Sequence, residues 1–199
     1  MAKAKTLEYE QLAPLLEFIT RVSKFPLRDR LFLLLTFYCG LRAQEVARLE
    51  FDDVTDVTGA VAGVIEVTSR AAKYGRPRQL PANCRVREEL TAYLAATGIR
   101  GGPLFLNQRG RPVTPNSVAQ QFKRLMKKAG FVGASSHSGR RTFITTLARR
   151  SQEVGCSLKD VQLLAGHANL SATEGYIELS PRQLELVDLL ETPGKTTPD

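Results

Sequence analysis

The chain has 199 residues, 43% of them hydrophobic, enough to bury a core for one large domain or two small ones. Its 28 lysines and arginines outweigh 20 acidic residues, for a formal charge of +8; that surplus favours a polyanionic partner, nucleic acid ahead of an anionic membrane surface. The three cysteines, Cys39, Cys84 and Cys156, are scattered and form no CxxC pair, which argues against a disulfide framework or a zinc ribbon. The longest apolar run, LFLLLTFYCG, is too short to span a bilayer. The first residues, MAKAKTLEYE, lack the apolar stretch of a signal peptide, so the expected setting is soluble and cytoplasmic, without a membrane partner.

In chain order, residues 1–5 read as a flexible start, and LEYEQLAPLLEFITRV fits an amphipathic helix. A second helix follows Pro26 through RDRLFLLLTFYC and stops at Gly40, and a short third, AQEVARL, begins after Arg42. Residues 54–80 change character: GVIEVTS alternates and is β-branched, and RQLP resumes an extended pattern beyond a turn at KYGRP. They predict a small antiparallel element of two or three strands with basic residues at its tip. Helical spacing returns at Val86, Leu90, Tyr93 and Leu94 and ends at Gly98. In VTPNSVAQQFKRLMKKAG, Thr114 is the expected N-cap, Pro115 the first helical residue and Gly130 the stop. A longer helix begins near Arg140. Three short ones follow, with start signals at Ser157/Asp160, Ser171/Glu174 and Ser180–Pro181/Gln183, and Tyr176 falls in the second of these. The fold class is mainly α with a small antiparallel sheet (α+β), and the residues after 191 read as a flexible tail.

Six residues could carry chemistry, and each alone has a plainer explanation. Arg140 precedes Phe143 and Ile144 by three and four residues, so it points toward the buried face of its helix and must find an anion, such as a neighbouring carboxylate. Arg42 could pair with Glu45, and Lys73 could be a solvated turn residue. His137 could cap the helix it precedes, His167 could occupy the turn after Gly166, and Tyr176 could be a core aromatic. Taken together they supply donors for oxygen anions, a base and a nucleophile. No carboxylate pair or Cys/His cluster of metal-ligand spacing accompanies them. That inventory suits phosphoryl transfer without a metal or other cofactor.

The order and spacing of these residues resemble the catalytic domain of the tyrosine recombinases, the phage integrase family. TFYCGLRAQEVARLEFDDV is similar to the first-arginine box, with Arg42 and its acidic companion Glu45. KYGRPRQLP resembles the hairpin motif with an active-site lysine, Lys73, and a trailing Arg-x-apolar-Pro at Arg78–Pro81. HSGRRTF resembles the His-x-x-Arg box, with His137 and Arg140, and LLAGHANLSATEGYI the closing box, with His167 and the nucleophile Tyr176 nine residues later. The commoner second box reads His-x-Leu-Arg-His; Gly139 and Arg141 stand there instead, for which altered packing or an extra phosphate contact is expected.

The resemblance implies a site-specific recombinase acting on double-stranded DNA. Tyr176 attacks a phosphodiester to form a 3′-phosphotyrosyl bond, His137 serves as base, and Arg42 and Arg140 hold the non-bridging oxygens. Lys73 protonates the leaving 5′-oxygen and His167 hydrogen-bonds the phosphate, while Arg76, Arg78 and Arg141 contact DNA. It further implies four protomers on synapsed sites, with a monomer free in solution. The catalytic domain is expected over residues 6–191, with 192–199 as tail; because the pattern starts near residue 7, the chain is expected to be a short recombinase or an isolated catalytic fragment. A type IB topoisomerase-like nicking and resealing enzyme, or a weakly active DNA-binding regulator that kept the fold, are the alternatives.

Overall fold

The computed structural model describes residues 5–72 and 76–174. Within them lie eight α-helices and one two-stranded sheet: α1 (Leu12–Val22), α2 (Pro26–Tyr38), α3 (Ala43–Ala47), β1 (Val64–Val67), β2 (Arg78–Pro81), α4 (Cys84–Thr97), α5 (Pro115–Lys128), α6 (Ser138–Arg150), α7 (Leu158–Ala165) and α8 (Ser171–Glu174). The α+β expectation holds, and no helix among the described residues is long and apolar enough to cross a membrane.

The centre is α2. Seven consecutive side chains, Leu31 to Phe37, are buried, so this helix is apolar on every side and has to be enclosed. It packs against α1, α4 and α6. Phe32 meets Phe105 edge to face at 4.8 Å between ring centroids, a geometry that the ring quadrupoles favour. Most buried side chains form one cluster built on α1 to α5, whereas Ile144, Val161 and Ala165 form a second, small one between α6 and α7.

The first helix is shorter than its periodicity suggests. A 3-10 turn at Tyr9–Gln11 precedes α1, which begins at Leu12. Pro14 has no N–H to offer the carbonyl of Glu10, and its ring crowds that carbonyl, so the regular ladder cannot run back to Leu7. Leu7 is nonetheless buried, tied to α6 by Thr142 Oγ1, which accepts from the Leu7 N–H at 2.8 Å and donates to its carbonyl at 2.8 Å. The sheet pairs Val64 with Pro81 and Val67 with Arg78. Ile65, Val67 and Leu80 face inward, the period-two pattern of a half-buried strand. Beyond β1, the Ala71 and Ala72 N–H groups both bond the Thr68 carbonyl, which ends the strand in a turn just before residue 73.

Helix starts follow the expected chemistry with one exception. The Thr114 and Ser157 hydroxyls accept from the first turns of α5 and α7. At α8 Leu170 holds the cap position, Asn169 supplies the side-chain acceptor, its Oδ1 taking the Ala172 N–H at 3.2 Å, and Ser171 is already helical. Asn and Ser cap about equally well, and here the turn after α7 brings Asn169 into position first. The third short helix, from Ser180, lies outside the described residues.

Candidate active site

Two helix ends and one strand converge at the seam between the two clusters. The end of α7 is a paired-bond helix stop: Gly166 has φ +61°, its N–H bonds the Leu163 carbonyl at 3.0 Å, and the His167 N–H bonds the Gln162 carbonyl at 3.1 Å. This 6→1 and 5→2 pattern needs the left-handed residue that glycine supplies without strain. The buried Gln162 amide also donates to the His167 carbonyl at 3.1 Å. His167 is therefore held by backbone geometry rather than by chance in a loop.

The last carbonyls of α7 carry the negative end of the helix dipole, and two guanidinium groups meet them. Arg78, from β2, donates Nε to the Leu164 carbonyl at 3.0 Å. Arg140, from the first turn of α6, donates Nη2 to the Ala165 carbonyl at 2.7 Å and Nη1 to the carbonyl of Gly40, at the end of α2. Arg140 is only 4% exposed. The anion it was expected to need is supplied in part by these two carbonyl dipoles, which fix the plane of its guanidinium.

Glu45 lies beneath this group, with its side chain fully buried. Its carboxylate accepts the Arg42 N–H at 2.8 Å, a capping contact at the start of α3, and Arg42 Nη1 at 3.0 Å. It also takes a bidentate fork from Arg78, at 3.0 and 2.9 Å. Burial alone would raise this carboxyl group, but the hydrogen bonds and charge of Arg78, followed by those of Arg42, outweigh it and hold the pKa at about 2.

His167 is half-buried, with Nδ1 2.9 Å from the Thr173 hydroxyl. Burial, then the positive charges of Arg140, Arg42 and Arg78, push its pKa down to about 4. The ring is therefore neutral near pH 7. If Thr173 donates to Nδ1, the proton sits on Nε2, which becomes a neutral hydrogen-bond donor. Thr173 escaped the sequence reading because its partner is six residues away and the intervening turn sets the distance.

The structure thus gathers Arg42, Glu45, Arg78, Arg140 and His167. His137 stands exposed at the start of α6, three residues before Arg140 on the same helical face, with Nδ1 3.3 Å from Ser136 Oγ. Its side chain makes no capping bond. Arg76 is exposed and Arg141 half-buried. Arg78, expected as a DNA contact, is turned inward: its side chain is 8% exposed and its donors go to Glu45 and Leu164. Lys73 and Tyr176 lie outside the described residues. No group of three or more His, Cys, Asp or Glu side chains able to hold a metal ion occurs among the described residues.

Gly139 has a steric reason. A Cβ there would sit 2.5 Å from Thr36 Oγ1 and 3.1 Å from the Phe37 nitrogen, so α6 reaches α2 only without a side chain at this position.

Comparison with known proteins gives this geometry a context. The chain is 32% identical over 196 residues to tyrosine recombinase XerC of Pelobacter propionicus, covering 96% of this chain and 61% of that protein. It is 30% identical over 194 residues to tyrosine recombinase XerA of Pyrococcus furiosus, covering 94% and 63%. The chain therefore spans about three fifths of the length of these curated relatives. Its fold matches the Tn1549 transposon integrase in complex with circular intermediate DNA, with a TM-score of 0.76, 22% identity, and coverage of 96% of this chain and 68% of that one. It also matches the XerH site-specific recombinase bound to its difH substrate, with a TM-score of 0.74, 24% identity, and coverage of 96% and 55%. The sequence profile of the phage integrase family matches residues 5–183, nearly the whole chain and every box of the site. With Arg42, the buried carboxylate of Glu45, Arg140 and the neutral His167 following one another along that fold, the chain belongs to the phage integrase family.

Proposed function

We propose that the protein is a tyrosine-type site-specific recombinase that cuts and rejoins DNA strands through a 3′-phosphotyrosyl intermediate. The observation that carries this reading is that Arg42 and Arg140 place their charges beside His167, with their guanidinium groups preoriented by helix ends and a buried carboxylate. Such donors, fixed before substrate arrives, stabilise charge that develops on a phosphorane-like transition state without reorganising. Arg42 and Arg140 take the non-bridging oxygens, where planar forks suit phosphate. His167, neutral, donates one further hydrogen bond.

Tyr176 is the nucleophile in this reading, as the closing box of the family suggests. A free tyrosine has a pKa of about 10, so it needs a base, and His137 fills that role. Lys73 protonates the 5′-oxygen that leaves. The phosphotyrosyl bond conserves the phosphoester energy, so a second 5′-hydroxyl can reverse the step without ATP. Double-stranded DNA is the partner, four protomers act on two synapsed sites, and the setting is the cytoplasm.

The test uses nicked, labelled DNA from the protein's own genomic neighbourhood, incubated with the full chain without divalent metal. An SDS-resistant protein–DNA adduct that disappears in Tyr176→Phe is the expected result. DNA binding with no adduct would point instead to a regulator, and an adduct that persists in Tyr176→Phe would name another nucleophile.

A further inference from the structure

We propose that Arg78 is a positioning residue of the phosphate pocket, acting through Glu45 on Arg42 and through the end of α7 on His167. This rests on the recombinase reading for what the pocket does, but the arrangement itself is a matter of side-chain contacts.

Arg78 occupies the first position of β2, opposite Val67 in the sheet. All three of its nitrogens are engaged: Nη1 and Nη2 fork onto Glu45 at 3.0 and 2.9 Å, and Nε donates to the Leu164 carbonyl at 3.0 Å. One side chain therefore ties together three separate stretches of chain: the hairpin, the start of α3, and the end of α7. A planar, forked cation can satisfy a carboxylate and a carbonyl at once in fixed directions; a lysine ammonium cannot.

The consequences differ at the two ends. At Glu45, Arg78 occupies both carboxylate oxygens, and Arg42 Nη1 takes a single contact, to Oε1 at 3.0 Å. Without Arg78, a buried carboxylate would have only Arg42 as cation and would draw its guanidinium inward, away from phosphate. At α7, the Arg78 side chain lies close against Gly166: a Cβ there would meet Arg78 Nη1 at 3.0 Å and Cδ and Cζ at 3.1 Å. It thereby buttresses the turn that presents His167. Its charge also faces the His167 ring together with those of Arg140, from α6, and Arg42, from the start of α3. Loss of the Arg78 charge should let that ring titrate higher.

The chain has only two histidines, so proton NMR can follow each ring without crowding. The wild-type protein is compared with Arg78→Met, which keeps the stem but not the charge, and with Arg78→Lys, which keeps the charge but not the fork. In Arg78→Met, which removes one of the three positive charges facing the ring, the His167 resonance is expected to titrate at a higher pH than in the wild-type protein. In both variants the rate of adduct formation on nicked DNA should fall about a hundredfold, the usual cost of misplacing a reacting group by about 1 Å, while DNA affinity is kept. Because Arg78 acts through Glu45, adding Glu45→Gln to Arg78→Met should cost less than the two separate losses combined. Unchanged His167 titration in folded Arg78→Met would overturn the proposal, as would full cleavage by Arg78→Lys. Should Arg78→Met not fold, the lysine variant decides alone. The titration needs no DNA, so absence of cleavage in the wild-type chain would refute the recombinase reading while the ring titration still judged Arg78.

Discussion

Glu45 shows how much one residue can carry. Its carboxylate caps α3, neutralises Arg78 and orients Arg42, and its pKa of about 2 records the net gain over burial. A carboxyl group depressed from 4.5 in this way contributes stability in full above that value and loses it as pH falls toward 2. Replacing it with glutamine leaves Arg78 as a buried cation without a carboxylate. Glu45→Gln is therefore expected to cost about 3 kcal/mol or more at neutral pH, the typical penalty for breaking a buried ion pair from one side. The same substitution should flatten the acid limb of the stability curve, and urea unfolding across a pH series measures both. An unchanged acid limb would mean that the depressed carboxyl group is not Glu45.

At the scale of elements, the site depends on how closely α6 approaches α2. Thr36 Oγ1 bonds the Leu33 carbonyl at 2.9 Å, and the Phe37 nitrogen is backbone, so neither yields easily to a methyl group at residue 139. Gly139→Ala should therefore destabilise the fold by about 1–3 kcal/mol, the usual range for overpacking, even though alanine is the better helix former. It should also slow cleavage more than it weakens DNA binding, since Arg140 is the next residue and its Nη1 bond to Gly40 spans the same two helices. Denaturant midpoints and adduct rates test the two parts. A neutral or stabilising Gly139→Ala would show that the helices can separate at little cost.

For the whole molecule, the formal charge of +8 is the dominant long-range property. Phosphate contacts release counterions, so the logarithm of DNA affinity should fall linearly with the logarithm of salt concentration. An interface of about six phosphate contacts would lose about a thousandfold in affinity between roughly 50 and 200 mM salt. Binding titrations over that range on any duplex measure the slope, and a flat response would assign the basic surplus another purpose.

Much of this was legible in one dimension because it rests on local rules. Helix α2 is bounded by Pro26 and Gly40, α5 by Thr114, Pro115 and Gly130, and α7 by Ser157 and Gly166, and each signal satisfies backbone groups within a few residues. The inward turn of Arg140 likewise follows from helical spacing to Ile144. What the sequence could not hold were partners chosen by approach in space. Arg78 lies 33 residues from Glu45 and 86 from Leu164, and at that separation a basic residue beside a turn reads as a DNA contact. Likewise Leu7 is fixed by Thr142, 135 residues away, and the reason for Gly139 is the surface of another helix. Periodicity and capping are properties of adjacent peptide units, so sequence alone determined most of the elements, and its motifs the family. Burial and ion pairing depend on which elements meet, and only the tertiary structure decided that Arg78 faces inward to brace the site.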